Sequence, residues 1–207
     1  YTYQKVFNDA GSPLVGILTN GTVLQMNYRA NTVESTLNSV GPIIDYCSTK
    51  AGISSTFVGI TSTGKVYGWG FRAGDGSEGY NTPMVLVQGL LSGKVAVKCA
   101  CSSLHVVILT NDNQLYSWGS NNQGWLGNGQ SGPNLKSLIP VAVDISALNG
   151  VTITDIVCSD SATFVLGSNG RVYGYGTGSI GISGVTEQKI PAQITWTGAL
   201  SGKSAKK

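Results

Sequence analysis

One histidine, His105, limits the acid–base chemistry open to this 207-residue chain. Any Ser-His-Asp or Cys-His mechanism would have to pass through it. It stands between Leu104 and the run Val106-Val107-Ile108-Leu109, so it reads as the middle of a buried strand. The expectation is therefore an imidazole hydrogen-bonded to a neighbouring backbone group, holding the strands of one unit together, and not a general base. Catalysis by paired carboxylates would have to draw on ten Asp and Glu, and no two of them form a suggestive local motif.

Two stretches satisfy the G-x-G-x-x-G pattern, Gly74-Asp75-Gly76-Ser77-Glu78-Gly79 and Gly176-Thr177-Gly178-Ser179-Ile180-Gly181. Such a pattern cradles a pyrophosphate only between a strand and a helix. Both stretches run on into turn residues, so their glycines are expected to serve tight turns and no nucleotide cofactor is expected. Cys99-Ala100-Cys101 with His105 does not have zinc spacing, and no metal site is expected. The chemistry-bearing residues thus point away from an enzyme and back to the elements that carry them.

Composition narrows those elements. With 29 Gly, 41% hydrophobic and only 11% charged residues, the chain fits many short strands joined by Gly-rich turns better than a helical or a disordered protein. Of the net charge of +3, Lys203, Lys206 and Lys207 lie in a basic tail, residues 203–207. Residues 1–202 gather no basic stripe, which argues against nucleic-acid binding. No apolar run approaches the length of a membrane helix, and no membrane insertion is expected. Four cysteines and a surface rich in Ser, Thr, Gly and Asn tilt the reading mildly toward a secreted protein, with Asn20-Gly21-Thr22 as a candidate glycosylation sequon at a turn tip.

A repeat organises the chain. Ile60–Gly70, Leu109–Gly119 and Leu166–Gly176 align without gaps, each ending in an aromatic-Gly pair, and Leu18–Asn27 is a worn fourth copy. From Asn27 through Trp69 and Trp118 to Tyr175 the spacings are 42, 49 and 57 residues, a fixed core with variable loops. In the third unit, Val95–Cys101, His105–Thr110, Gln114–Trp118 and Ile139–Ile145 read as four strands, with Asn and Gly at the turns. Four antiparallel strands make one blade of a β-propeller. The blades are read as 3–42, 43–94, 95–150 and 151–202. Trp69, Trp118 and Tyr175 recur at one position and are expected to pack between blades, with Trp196 capping an edge. Cys101 and Cys158 each precede their aromatic by 17 residues, so they are a candidate disulfide between adjacent units, against the plainer reading of two buried thiols.

From about Lys5 to Ile194 the chain resembles the regulator of chromosome condensation type repeats. The strongest match is Leu115–Gly129 preceded by Cys101–Leu109, while the first unit lacks the Trp-Gly pair and the fourth has Tyr175 in place of Trp. The resemblance implies an all-β propeller with four blades visible here, either a smaller closed ring or, the favoured reading, part of a ring of about seven. It also brings three functional expectations. The leading one is a non-catalytic scaffold that binds a protein partner through loops 71–83 and 120–140, with Trp125, Phe71, Arg72, Asn121 and Asn122 as candidate contacts. A structural subunit of an extracellular or surface assembly, pairing with neighbours through propeller edges, is an alternative. Nucleotide exchange on a small GTPase, the activity of the family's namesake, is a third, without a long loop that argues for it.

Overall fold

The computed structural model describes residues 3–7, 14–27, 30–32, 40–49, 55–79, 82–178, 180–182, 184–195 and 204–205. Trp196 and the lysines of the basic tail lie outside them. The described residues form sixteen strands in four antiparallel four-stranded sheets, each built from consecutive strands in chain order. The first sheet holds β1 (Tyr3–Phe7), β2 (Leu14–Leu18), β3 (Val23–Asn27) and β4 (Ala30–Thr32). The second holds β5 (Ile43–Ser48), β6 (Thr56–Thr61), β7 (Val66–Gly70) and β8 (Thr82–Leu86). The third holds β9 (Ala96–Cys101), β10 (His105–Thr110), β11 (Leu115–Ser120) and β12 (Lys136–Ala142). The fourth holds β13 (Ile153–Cys158), β14 (Ala162–Gly167), β15 (Val172–Thr177) and β16 (Glu187–Gln193). The protein is an all-β propeller array. The fourth strand of the third sheet begins at Lys136 and ends at Ala142, a few residues earlier than Ile139–Ile145 because the loop after Ser120 folds back sooner.

The second and third sheets are apolar on both faces because a neighbouring sheet covers each side, and stacking of the faces makes the core. Every residue of β10 is buried: Val106 and Ile108 pack toward the second sheet with Val58, Ile60 and Trp118, while Val107 and Leu109 pack toward the fourth with Val165, Tyr173 and Tyr175. Period-2 alternation, which normally separates core from solvent, here divides the side chains between two cores. The first strands of the second, third and fourth sheets lie side by side and are tied by polar side chains: Asp45 Oδ2 accepts from Cys99 N at 2.9 Å, and Lys98 forms an ion pair with Asp155.

The loop glycines answer to close packing. Gly74 has φ +93°, and a Cβ there would lie 3.0 Å from the Trp118 ring; Gly127 has φ +66°, and a Cβ would come within 2.8 Å of the Tyr175 ring. In both, the loop of one sheet seats the aromatic of the next, which only glycine permits. The G-x-G-x-x-G stretch at residue 74 is thus a packing and turn device, and the next described element is the strand β8.

Candidate protein-binding face

The meander of each sheet puts the connections between its first and second strands and between its third and fourth strands at one end of the array. The two kinds of connection are bonded to each other: Phe71 N donates to Ser55 O at 3.0 Å, Ser120 N to Leu104 O at 2.9 Å and Thr177 N to Ser161 O at 2.8 Å. The opposite end carries the tight turns after β2, β6, β10 and β14. Phe71, Arg72, Asn121 and Asn122 therefore share one face, and Asn20, exposed at the turn after β2, lies on the other.

At the centre of the loop face sits a charged cluster that spans two sheets. Arg72 Nη1 donates to Ser120 Oγ at 2.7 Å and its Nη2 to Glu78 Oε1 at 2.8 Å, while Lys136 Nζ donates to Glu78 Oε2 at 2.5 Å. The Lys136 ammonium and then the Arg72 guanidinium hold the Glu78 carboxyl below its ordinary value. The Arg72 guanidinium also lies 4.6 Å from the centroid of the Phe71 ring. Beneath, Trp118 Nε1 donates to the Arg72 carbonyl at 3.1 Å, and Gly76 N donates to Leu138 O at 3.0 Å. The loop is thereby braced on the following blade at several points. Arg72 itself has φ +50°, a left-handed backbone held by those bonds. Glu78, Ser120 and Lys136 carry no motif, and the pairing of Glu78 with Lys136, 58 residues apart, could not be read from spacing.

The other candidate contacts divide. Asn122 is exposed on this face. Asn121 is buried and serves its own loop: Nδ2 donates to Asn128 Oδ1 at 3.1 Å and Gln130 O at 3.0 Å, and Oδ1 accepts from Leu126 N at 3.0 Å. Trp125 is not an exposed contact either. Only 7% exposed, it donates from Nε1 to Thr177 Oγ1 at 3.2 Å and so fastens the loop of the third sheet to the fourth, where burying the indole is worth more than leaving it in water.

His105 is 1% exposed and is held structurally on both sides, within its own blade and across to the next. Its Nδ1 shares a hydrogen bond with Ser102 Oγ at 2.7 Å and its Nε2 shares one with Thr163 Oγ1 of the fourth sheet, also at 2.7 Å. The partners are hydroxyls, not backbone groups, because the next sheet closes over the ring. Burial pushes its pKa down to about 4. The sulfur beside Cys101 is that of Cys47 and not that of Cys158, with a Cys47–Cys101 Cα–Cα distance of 5.5 Å. Backbone pairing explains the choice. Cys101 corresponds by register to Ser48 in the second sheet and to Cys158 in the fourth, so Cys47 and Cys101 are offset by one residue across adjacent first strands, whereas Cys101 and Cys158 are level. Cys158 is a thiol whose pKa burial pushes up to about 12, against a hydrogen bond with Thr163. Among the described residues, no group of three or more His, Cys, Asp or Glu is gathered as a metal ion would require, and no helix is long and apolar enough to cross a membrane.

Comparison with known proteins adds the lineage. A model described as the regulator of chromosome condensation (RCC1) repeat matches residues 112–166, and a second of the same description matches residues 96–124. The chain is 34% identical over 165 residues to the regulator of chromosome condensation of Mus musculus, covering 70% of this chain and 38% of that protein. It is 32% identical over 136 residues to the E3 ubiquitin-protein ligase HERC2 of Homo sapiens, covering 60% of this chain and 3% of that one. Yeast RCC1 (Prp20), solved bound to Kap60, superposes with a TM-score of 0.73 at 16% identity over 95% of this chain and 49% of its own. The chain spans well under half the length of the curated relatives it matches.

Proposed function

Because this chain is built of regulator of chromosome condensation repeats, we propose that it is a non-catalytic scaffold that binds a protein partner through the face carrying Phe71, Arg72, Glu78, Asn122 and Lys136. The observation that carries the reading is the Arg72–Glu78–Lys136–Ser120 cluster. It crosses from one sheet to the next, so its charged groups stand on a scaffold already ordered before any partner arrives, and little ordering entropy is left to lose on binding. Mixed charge around the Phe71 ring suits a protein surface better than a phosphate backbone. Yeast RCC1, a protein of this fold, has been solved bound to Kap60, which supports the reading by analogy. The non-catalytic part rests on His105: enclosed between Ser102 and Thr163, its ring offers no nitrogen to a substrate.

The test is affinity capture followed by quantitative binding with the protein so identified. Arg72→Glu together with Lys136→Glu reverses two charges on this face, and Lys94→Glu places one on the opposite face, where Lys94 pairs with Asp112. The double variant is expected to weaken binding at least about tenfold, and Lys94→Glu to leave it within about twofold. Equal binding by all three proteins would move the interface elsewhere.

A further inference from the structure

Four Asn-Gly pairs stand in the chain, Asn20-Gly21, Asn128-Gly129, Asn149-Gly150 and Asn169-Gly170. The pair is chemically fragile because a glycine nitrogen, with no side chain beside it, can attack the preceding side-chain amide, one source of the thermolability of asparagine. Three of the pairs are pinned. Gly21 N donates to Leu18 O at 2.8 Å, Gly129 N to Lys189 O at 3.0 Å and Gly170 N to Gly167 O at 2.9 Å. Their asparagines are tied as well: Asn20 Oδ1 accepts from Thr22 N at 3.0 Å, Asn128 Oδ1 from Gln130 N at 3.2 Å and Asn169 Oδ1 from Arg171 N at 3.0 Å. Pro42 and Ser204 also press on Gly21 and Gly170, where a Cβ would meet them at 2.4 and 2.7 Å.

Asn149-Gly150 has none of these restraints. Asn149 is exposed, and neither its side chain nor Gly150 N makes a hydrogen bond among the described residues. Asn149 at φ −54° and ψ 124° and Gly150 at φ +75° form a type II turn, closed by Val151 N donating to Leu148 O at 2.9 Å. A Cβ on Gly150 would meet nothing within 4 Å. The turn can therefore open, and its central peptide rotate toward the Asn149 side chain, by breaking that closing bond alone.

We propose that Asn149 is this protein's site of spontaneous deamidation. Gly150 N, having lost its proton to base, bonds to Asn149 Cγ; the Cγ–Nδ2 bond breaks, ammonia leaves and a succinimide closes. Water then opens that ring at one carbonyl or the other. Position 149 is left as an aspartate or as an isoaspartate, whose backbone runs through the β-carbon and is longer by one methylene. The location gives the second product an effect. Leu148 belongs to the core between the third and fourth sheets, and Asn113, at the turn of the third sheet, grips the entry of the fourth: its Nδ2 donates to Val151 O at 3.0 Å and its Oδ1 accepts from Ile153 N at 2.7 Å. A longer backbone between Leu148 and Val151 cannot satisfy both, so the isoaspartate form loosens that junction. The turn lies at the end of the array opposite the proposed binding face, and the inference is independent of that reading.

Incubation of the folded protein in mildly alkaline buffer, followed by peptide mapping, tests the assignment. The peptide holding position 149 is expected to gain about 1 Da as an amide becomes an acid. It should do so at least about fivefold faster than the other three, in each of which a further hydrogen bond must first break. In denaturant the four rates are expected to converge within about twofold, because only the folded backbone separates them. A folded protein in which another pair reacts first, or in which all four react alike, overturns the proposal, and so does an order that persists unchanged in denaturant. Aged protein enriched in isoaspartate is expected to unfold roughly 2–4 °C below fresh protein. Asn149→Asp, which brings the charge without the extra methylene, should stay within about 1 °C of it. Aged protein that unfolds together with that variant overturns the loosening of the junction.

Discussion

His105 Nε2 and Thr163 Oγ1 share a 2.7 Å hydrogen bond across the boundary between the third and fourth sheets. It is a polar link beside the apolar contacts of Val107, Leu109, Val165 and Tyr175 in that interface. An enclosed imidazole of this kind favours its neutral form, since protonation would leave a charge without water. The propeller array therefore carries a built-in response to acid at a blade boundary.

Stability is expected to fall as the pH drops through the window set by that ring. Its pKa is 6.5 in the unfolded chain and about 4 when folded, so between those values the unfolded chain binds the extra proton and unfolding gains. The contribution is complete above pH 6.5 and is lost progressively toward pH 4, on the order of 3 kcal/mol in all. Carboxylates such as Glu78 and Asp112, whose pKa values lie below their ordinary range, begin to matter only lower down. Denaturant unfolding between pH 6.5 and 5 isolates the histidine, and His105→Gln is expected to flatten that part of the profile while lowering stability at pH 7 by about 1–3 kcal/mol. An unchanged slope in the variant would remove His105 as its source.

Gly127→Ala is expected to destabilise by roughly 2–4 kcal/mol, combining a left-handed backbone with a methyl pressed against a buried ring. The Cβ would lie 2.8 Å from both Tyr175 Cε2 and Val143 Cγ1, and neither can retreat within the core. Gly129→Ala provides the control. Its φ of +79° is similar, but the nearest atom to a Cβ is 3.9 Å away, so only the backbone term of about 1 kcal/mol remains. Similar midpoints for the two variants would mean that the aromatic seat contributes nothing.

The fold was legible because the repeat carries its own register. Asn113, Gly64 and Gly170 mark the turns and Trp118 and Tyr175 the pivots, so four strands per unit followed from pattern alone, with the end of β12 misplaced by a few residues. The site was less legible for a physical reason. Trp125 and Asn121 lie in a polar, Gly-rich loop that suggests exposure, and their burial is created by Thr177 and Leu126, partners that spacing does not disclose. Glu78 and Lys136 meet only because one sheet stacks on the next. The level positions of Cys101 and Cys158 were visible in the sequence, but a disulfide needs Cα atoms about 5–6 Å apart, and stacking gives that to the offset pair Cys47 and Cys101.

That pair yields the last expectation. A Cys47–Cys101 bridge would tie the first strands of the second and third sheets and close a loop with a sequence separation of 54. In the chain-entropy account, a loop of that length lowers the entropy of the unfolded chain enough to stabilise the fold by about 4 kcal/mol at 25 °C. Oxidised protein is expected to gain about 2 Da on reduction, the two hydrogens of one bridge, with Cys99 and Cys158 already thiols. Cys47→Ser should unfold at distinctly lower denaturant than the wild type under oxidising conditions and match it once both are reduced, because the variant then lacks only what reduction also removes. Cys158→Ser removes no bridge and loses only a weak contact with Thr163, so its oxidised midpoint is expected to stay within about 1 kcal/mol of the wild type. A wild-type protein whose mass and midpoint ignore reductant would show that the two sulfurs do not bond, and a gain of about 4 Da would show that Cys99 and Cys158 pair as well.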